Sequence, residues 1–317
     1  GGGCGLSSSI FLSRMGVASL LIEKHSGAGR MPKARYVNQR TMEIMRQFGL
    51  ADQILERSMP LANISRIRWC TSLGGSEPLD RRTIFEMDSF GGGSLRHYKE
   101  DSPSESTLYP QVRLEPLLRS IADAEPLCDV RYHHEAVSIS QTDERVVVRV
   151  LERDTEAYYE VVAKYVIAAD GGKFVGEHVG VKFEGVTDLV DMATVYFRAD
   201  LSDLWSDDSA MTTWFVNPEG GSWASGVLGQ LGPGPFGRHS TEWMFHFSFK
   251  PEDPARHNDD LLVPRMRELL KTPNLDVEVV AIGHWTVEAV LADRFQFGNI
   301  FLAGDAAHRH PPTAGLG

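Results

Sequence analysis

The sequence predicts an α/β fold in which a mostly antiparallel β-sheet is inserted into an α/β domain. Three observations predict it. A glycine-rich turn at residues 1–5 is followed by a helix and by a strand that ends in Glu23. Two later strands each end in an aspartate beside a glycine, at Asp170-Gly171 and at Gly304-Asp305. Between these two points the chain is rich in short β-like runs.

The bulk composition is that of an acidic, folded protein. The 317 residues suit two domains, and an apolar content of 42% is enough for sizeable cores. A formal net charge of −11 argues against nucleic acid or an anionic membrane as the partner. The three cysteines lack metal-ligand spacing, and an odd count suits a reducing compartment. Because no apolar run reaches membrane-spanning length and no signal peptide precedes the first motif, we expect a cytoplasmic protein.

The first motif is a glycine turn with an acidic strand end behind it. A dinucleotide-binding fold needs such a turn, a helix and a strand whose terminal acid accepts ribose hydroxyls about 20 residues later. Glu23 stands at this distance after Gly5, which we interpret as the glycine that lets helix and strand pack closely. Gly2 is then approached by a pyrophosphate, with Gly3 beside it, and a helix over residues 6–15 directs its positive end there. The first glycine and the first strand would precede residue 1, so we expect a fragment truncated at both ends.

Two polar residues stand out in the next segment. Asn38 predicts the N-cap of a helix whose methionines we interpret as core. Before it, Arg35 is either a surface arginine or a cation that neutralises phosphate charge. Farther on, Gln111 opens a helix with a Gln-x-x-Leu-Glu-x-x-Leu pattern. On spacing alone, Gln111 is an ordinary polar residue at a helix start.

Strand-like runs dominate the rest of the chain. Residues 137–139, 146–151 and 158–169 predict a small antiparallel excursion that ends at Asp170. Within 181–280, Phe245, Phe247 and Phe249 alternate with His246, Ser248 and Lys250, as in a half-buried strand. Other aromatic residues of this region could line a pocket but are interpreted as core: Trp214, Phe215, Trp223 and Trp243.

The last motif places a carboxylate at a strand end. An apolar strand runs into Gly304-Asp305, and Pro311-Pro312 and Gly315-Leu316-Gly317 follow. Ligands of α/β sheets bind at the carboxyl ends of strands, where a carboxylate can accept hydrogen bonds from ligand hydroxyls. His308 and His310 have no third partner in view, so we predict no metal site.

With these motifs in this order, the sequence resembles the FAD-dependent aromatic hydroxylases, the group of p-hydroxybenzoate and phenol hydroxylases. The stretch Pro-Lys-Ala-Arg-Tyr-Val-Asn-Gln-Arg-Thr-Met-Glu-Ile over residues 32–44 is especially similar to chlorophenol monooxygenases. The resemblance implies a Rossmann-like FAD-binding domain over residues 1–75, 106–180 and 286–317. It assigns residues 76–105 and 181–285 to the substrate domain.

The resemblance also implies roles for single residues. Asp305, after Gly304, would hold the ribityl chain of the flavin, and Arg35 would meet the cofactor near its pyrophosphate. Gln111 would contact the phosphate-ribityl region, and Asp170 would belong to a second motif that handles FAD and nicotinamide. The isoalloxazine ring would be wrapped by Pro312, Gly315 and Leu316.

The implied activity is hydroxylation of a phenolic or related aromatic substrate. In this family NADH or NADPH reduces the flavin, O₂ adds at its C4a position, and the hydroperoxide transfers OH to the ring. A free phenol has a pKa of about 10, so the pocket should hold a base or a hydrogen-bond acceptor, which the sequence does not identify. Two alternatives stay open: a degenerate or truncated FAD-binding protein without activity, and another flavin oxidoreductase on the same fold. A homodimer also stays open.

Overall fold

The computed structural model describes residues 1–216, 225–250 and 252–312. Trp223, Gly315 and Leu316 lie outside the described residues. The chain divides into two compact units. Unit 1 comprises Gly1–Arg30, Gln111–Thr187 and Glu288–Gly317, and unit 2 comprises Met31–Pro110 and Asp188–Val287.

The described residues form short helices and many strands. The α-helices are α1 (Gly3–Arg14), α2 (Gln39–Gln47), α3 (Ala51–Leu55), α4 (Leu95–Asp101), α5 (Gln111–Ala124), α6 (Val175–Val179) and α7 (Leu262–Leu270). The strands up to Ala168 are β1 (Ser19–Glu23), β2 (Tyr36–Val37), β3 (Arg66–Cys70), β4 (Thr83–Asp88), β5 (Thr107–Leu108), β6 (Cys128–Tyr132), β7 (His134–Gln141), β8 (Val146–Glu152), β9 (Ala157–Ala163) and β10 (Val166–Ala168). The later strands are β11 (Phe183–Arg198), β12 (Ala210–Val216), β13 (Ser225–Gln230), β14 (Glu242–Phe249), β15 (Glu278–Ala292), β16 (Gln296–Phe297), β17 (Ile300–Leu302) and β18 (His308–Arg309).

Unit 1 contains the parallel pairs expected of an α/β domain. β1 pairs with β6, and β10 pairs with β17, both in parallel. Helices α1 and α5 pack against each other next to the first of these pairs. Strands β7, β8 and β9 form a separate antiparallel sheet, which confirms the small antiparallel sheet predicted for this region. Valines of β8 pack in one core with Ile300 and Leu302 of β17.

Unit 2 is built on a broad sheet with the strand order β15-β11-β14-β13-β12-β3-β4. The pairs β11–β14, β14–β13, β13–β12 and β3–β4 are antiparallel, and β12 pairs with β3 in parallel. Phe245, Phe247 and Phe249 of β14 face a core that includes Leu262 and Met266 of α7, as the alternation predicted. Strands β11 and β15 contain residues of both units.

Three sequence-based boundaries differ from the structure. α1 begins at Gly3 rather than at residue 6, so the glycines form its first turn. The run 158–169 divides into β9 and β10, because β10 leaves the antiparallel sheet to pair with β17. Residues 31–75 lie in the compact unit 2, since β3 pairs with β12 of the inserted sheet; their predicted place in the FAD-binding domain stays a prediction.

Candidate functional site

The amino-terminal turn of α1 leaves room for a ligand. Gly2 is the N-cap, in an extended conformation and without a side-chain hydrogen bond. A Cβ on Gly3 would meet no atom within 4 Å, and one on Gly2 would lie 3.3 Å from Glu115 Oε1. Backbone N–H groups at such a helix start suit an anion such as phosphate. A Cβ on Gly5 would stand 3.4 Å from Leu21 Cδ1, an ordinary contact, so close packing alone does not require glycine there.

Glu23 ends β1 beside this turn. Its Oε1 accepts a hydrogen bond of 2.9 Å from the His25 amide, and its Oε2 lies 2.9 Å from the nitrogen of Gly1. Burial opposes ionisation, yet the hydrogen bond from the His25 amide helps to hold the pKa of the Glu23 carboxyl below its ordinary value. A Cβ on Gly1 would come within 2.5 Å of Glu23 Cγ, so only glycine allows this approach. The ionised carboxylate is suited to accept bonds from ribose hydroxyls.

Gln111 is held by a residue that the sequence analysis missed. Gln111 Nε2 donates to Glu115 Oε1 over 2.5 Å, and the Gly29 amide donates to Glu115 Oε2 over 3.2 Å. Glu115 is only 5% exposed. Its spacing from Leu118 and Ala122 places it on the buried stripe of α5, and an acid on that stripe was the available signal. Glu115 therefore fixes the Gln111 amide and lies next to Gly2.

The Gly304-Asp305 motif meets the first turn of α1. Gly304 has a φ of +61°, and a Cβ on it would lie 3.2 Å from Cys4 Sγ. After burial, the charge of Asp305 is among the causes that raise the pKa of the Cys4 thiol, which places the carboxylate close to it. The Asp305 side chain is exposed and makes no hydrogen bond or ion pair within the described ranges. Its oxygens are therefore available to a ligand.

Arg35 lies in unit 2, where its side chain packs against strands of the inserted sheet. Nη1 donates to the Met211 carbonyl over 3.0 Å, and Nη2 donates to Thr212 Oγ1. Burial lowers the pKa of Arg35 to about 10. As far as the structure describes the chain, no carboxylate pairs with this cation. A desolvated cation of this kind suits an anionic ligand, and its predicted contact with pyrophosphate stays a prediction.

The other predicted site residues have local roles or stay untested. Asp170 accepts bonds from the backbone amides of Gly172, Phe174 and Val175 at 3.0, 2.8 and 2.8 Å, so it fixes the turn that leads into α6. Its cofactor contact stays a prediction. Pro312 is exposed at the end of the described range. Among the residues that the structure describes, no three potential metal ligands cluster.

Comparison with known proteins assigns this arrangement to a family. The model of a family described as FAD binding domain matches residues 1–317. The chain belongs to this family. The match covers both units, including the inserted sheet between Asp170 and Gly304.

Several proteins similar to this chain are monooxygenases. The chain is 30% identical to 2,4-dichlorophenol 6-monooxygenase of Delftia acidovorans, over 100% of the chain and 53% of that protein. It is also 30% identical to phenol 2-monooxygenase of Pseudomonas sp. strain EST1001, over 100% of the chain and 49% of that protein. The solved structure of the flavin-dependent monooxygenase PieE with FAD and substrate superposes with a TM-score of 0.88 at 30% identity, covering 99% of the chain and 53% of PieE. The chain thus spans about half the length of the relatives it matches.

Unit 1 offers what the parts of an FAD molecule require. The open first turn of α1 suits the pyrophosphate, and the ionised Glu23 suits ribose hydroxyls. The unpaired Asp305 carboxylate suits the hydroxyls of a ribityl chain. These three groups come from separate parts of the chain and lie in the same unit.

In the described part of the chain, no helix has the length and apolar character needed to cross a bilayer.

Proposed function

We propose that this chain binds FAD through unit 1 and serves in a monooxygenase that hydroxylates a phenolic or related aromatic substrate. The observation that carries the proposal is the Asp305 carboxylate beside the open first turn of α1, without a partner among the described residues, in a chain whose whole length matches the family. The names of the two enzyme relatives, which refer to phenol and dichlorophenol, support the phenolic class.

Each residue has a defined task in this proposal. The amides at the start of α1 bind the pyrophosphate, Glu23 accepts ribose hydroxyls, and Asp305 accepts a ribityl hydroxyl. Glu115 orients Gln111 toward the same region. Bound FAD would supply the redox and oxygen chemistry, while the protein binds, orients and excludes water.

The proposal includes further reactants. NADH or NADPH would be the reductant and O₂ the oxidant. The free cysteines Cys4, Cys70 and Cys128 are compatible with a reducing, cytoplasmic location, which we include in the proposal. A homodimer is left open.

The first arm of the test measures FAD binding. We expect Asp305→Ala to weaken FAD about tenfold to a hundredfold, because a hydrogen bond to a charged acceptor contributes about 1.5–3 kcal/mol. Asp143→Ala is the matched control, since Asp143 is an exposed aspartate of unit 1 whose carboxylate makes no hydrogen bond or ion pair within the described ranges. Equal FAD affinity of the two variants in a fluorescence titration would refute the role of Asp305.

The second arm measures chemistry on the gene product that contains this chain. A panel of phenols and benzoates is scored for stimulated NADH or NADPH oxidation and for a product heavier by one oxygen atom. A hydroxylated product supports the proposal. FAD binding with no substrate-stimulated oxidation would instead indicate an FAD-binding protein without activity, and oxidation without an oxygenated product would indicate another flavin oxidoreductase.

A further inference from the structure

The sheet of unit 2 has a second half-buried face, opposite the phenylalanine core. His246 of β14 lies on this face and is only partly exposed. β14 lies between β11 and β13, so neighbouring strands flank His246 on both sides. Thr194 of β11 is the direct cross-strand partner of His246. This face of the sheet therefore contains a polar side chain, that of His246, which its neighbours partly cover.

A short hydrogen-bond chain fixes the His246 ring. Trp285 Nε1 donates to Thr194 Oγ1 over 3.2 Å, and Thr194 Oγ1 lies 2.7 Å from His246 Nδ1. Trp285 occupies one lone pair of the hydroxyl, which leaves its proton to donate to Nδ1 or its second lone pair to accept from Nδ1. We assign the first arrangement, in which Nε2 carries the ring proton. In the described part of the structure, His246 Nε2 has no hydrogen-bond partner. It is also not fully buried, so a ligand can reach it.

The same face carries the unpaired cation. Gly229 of β13 pairs with Met244, two residues before His246 on β14. A Cβ on Gly229 would lie 2.6 Å from Arg35 Cζ, so the guanidinium rests on the sheet at this point. Burial, and after it the charge of Arg35, lowers the pKa of His246 to about 3. At neutral pH this face thus presents the neutral His246 ring and the Arg35 cation, which pairs with no carboxylate among the described residues.

A ligand group that matches this pair is an oxygen that can become negatively charged. We propose that His246, oriented by Thr194 and Trp285, donates a hydrogen bond from Nε2 to the ionised hydroxyl of a phenolic substrate. The phenol O–H bond breaks and its proton passes to solvent, because a neutral imidazole beside a cation is a donor here and not a base. This inference deepens the proposed function and rests on its phenolic substrate class.

The test uses 4-nitrophenol, whose ionisation changes its visible absorbance, and 4-nitroanisole, which has the same ring but cannot ionise. Titrated into the chain without FAD, 4-nitrophenol should bind at least about tenfold more tightly than 4-nitroanisole and should ionise at lower pH when bound. His246→Phe should remove this preference. His246→Gln should retain part of it, because its amide supplies an N–H donor. If His246→Phe does not fold, His246→Gln provides the readout.

A matched control lies one position before Trp285 on β15. His284 Nε2 contacts Asp259 at 2.6 Å, and strand alternation directs it to the opposite face. His284→Gln should therefore leave binding of both ligands unchanged. The inference is overturned if wild type shows no preference for 4-nitrophenol, or if His246→Phe keeps it. Because no FAD is present, this outcome is distinct from failure of the proposed function, which would appear as absent FAD binding or absent hydroxylation.

Discussion

A histidine that stays neutral inside the fold couples stability to pH. The unfolded chain binds a proton at His246 below the ordinary pKa of about 6.5, whereas the folded chain does so only near a pKa of about 3. The unfolded state therefore holds more protons across this window, and stability is lost as pH falls from about 6.5 toward 3. The loss is at most about 1.4 kcal/mol for each pH unit.

We expect His246→Gln to remove this component, because glutamine does not titrate. Urea unfolding of wild type and variant at pH 7, 6 and 5 measures it as the difference between the two free energies of unfolding. Carboxyl groups titrate equally in both proteins, so they cancel in that difference. Arg35 is the charged group that acts on His246, and it stays ionised throughout. Parallel pH curves for the two proteins would show that His246 titrates normally in the fold.

At the scale of residues, the sequence predicted features that depend on neighbouring residues in the chain. It did not predict how deeply a residue on a sheet face is buried. Asn38 caps α2 as predicted, with Oδ1 accepting from the Thr41 amide over 2.8 Å. Such a cap depends on adjacent residues only. The alternation of Phe245, His246 and Phe247 predicted a half-buried strand, but it could not show that β11 and β13 flank β14 and partly cover His246.

At the scale of elements, α5 depends on one buried acid. Glu115→Ala leaves the Gly29 amide and the Gln111 side chain without their acceptor. We expect the free energy of unfolding to fall by about 1–3 kcal/mol, because two hydrogen bonds to a buried carboxylate are lost. FAD affinity should fall as well, since the Gln111 amide is no longer fixed.

The control for α5 is Asp123→Ala in its last turn. Asp123 is partly exposed and accepts from Arg119 Nε over 2.6 Å, one helical turn away. An exposed pair of this kind contributes only about 0.3–0.5 kcal/mol. Denaturant unfolding of both variants provides the comparison. Similar losses for the two variants would mean that Glu115 has no special structural role.

The order of the motifs was readable from the sequence at the scale of the whole molecule, and the assignment of segments to units was not. Glu23, Gln111 and Asp305 were each identified from strand or helix ends, and all three lie in unit 1. Residues 31–75 follow the glycine motif along the chain but belong to unit 2. That placement depends on the pairing of β3 with β12, a contact between segments far apart in sequence that no local pattern encodes.

Ligand linkage provides a prediction for the chain as a whole. A ligand that binds only the folded state stabilises it by about 2.7 kcal/mol at a concentration one hundred times its Kd. FAD should therefore raise the midpoint of thermal unfolding, followed by far-ultraviolet circular dichroism, in a concentration-dependent way. Asp305→Ala should need about tenfold to a hundredfold more FAD for the same rise, because its Kd is higher by that factor. Without FAD, its midpoint should equal that of wild type and of Asp143→Ala, since the Asp305 carboxylate has no partner within the described residues. A lower midpoint of Asp305→Ala in the absence of FAD would show that Asp305 supports the fold rather than the cofactor.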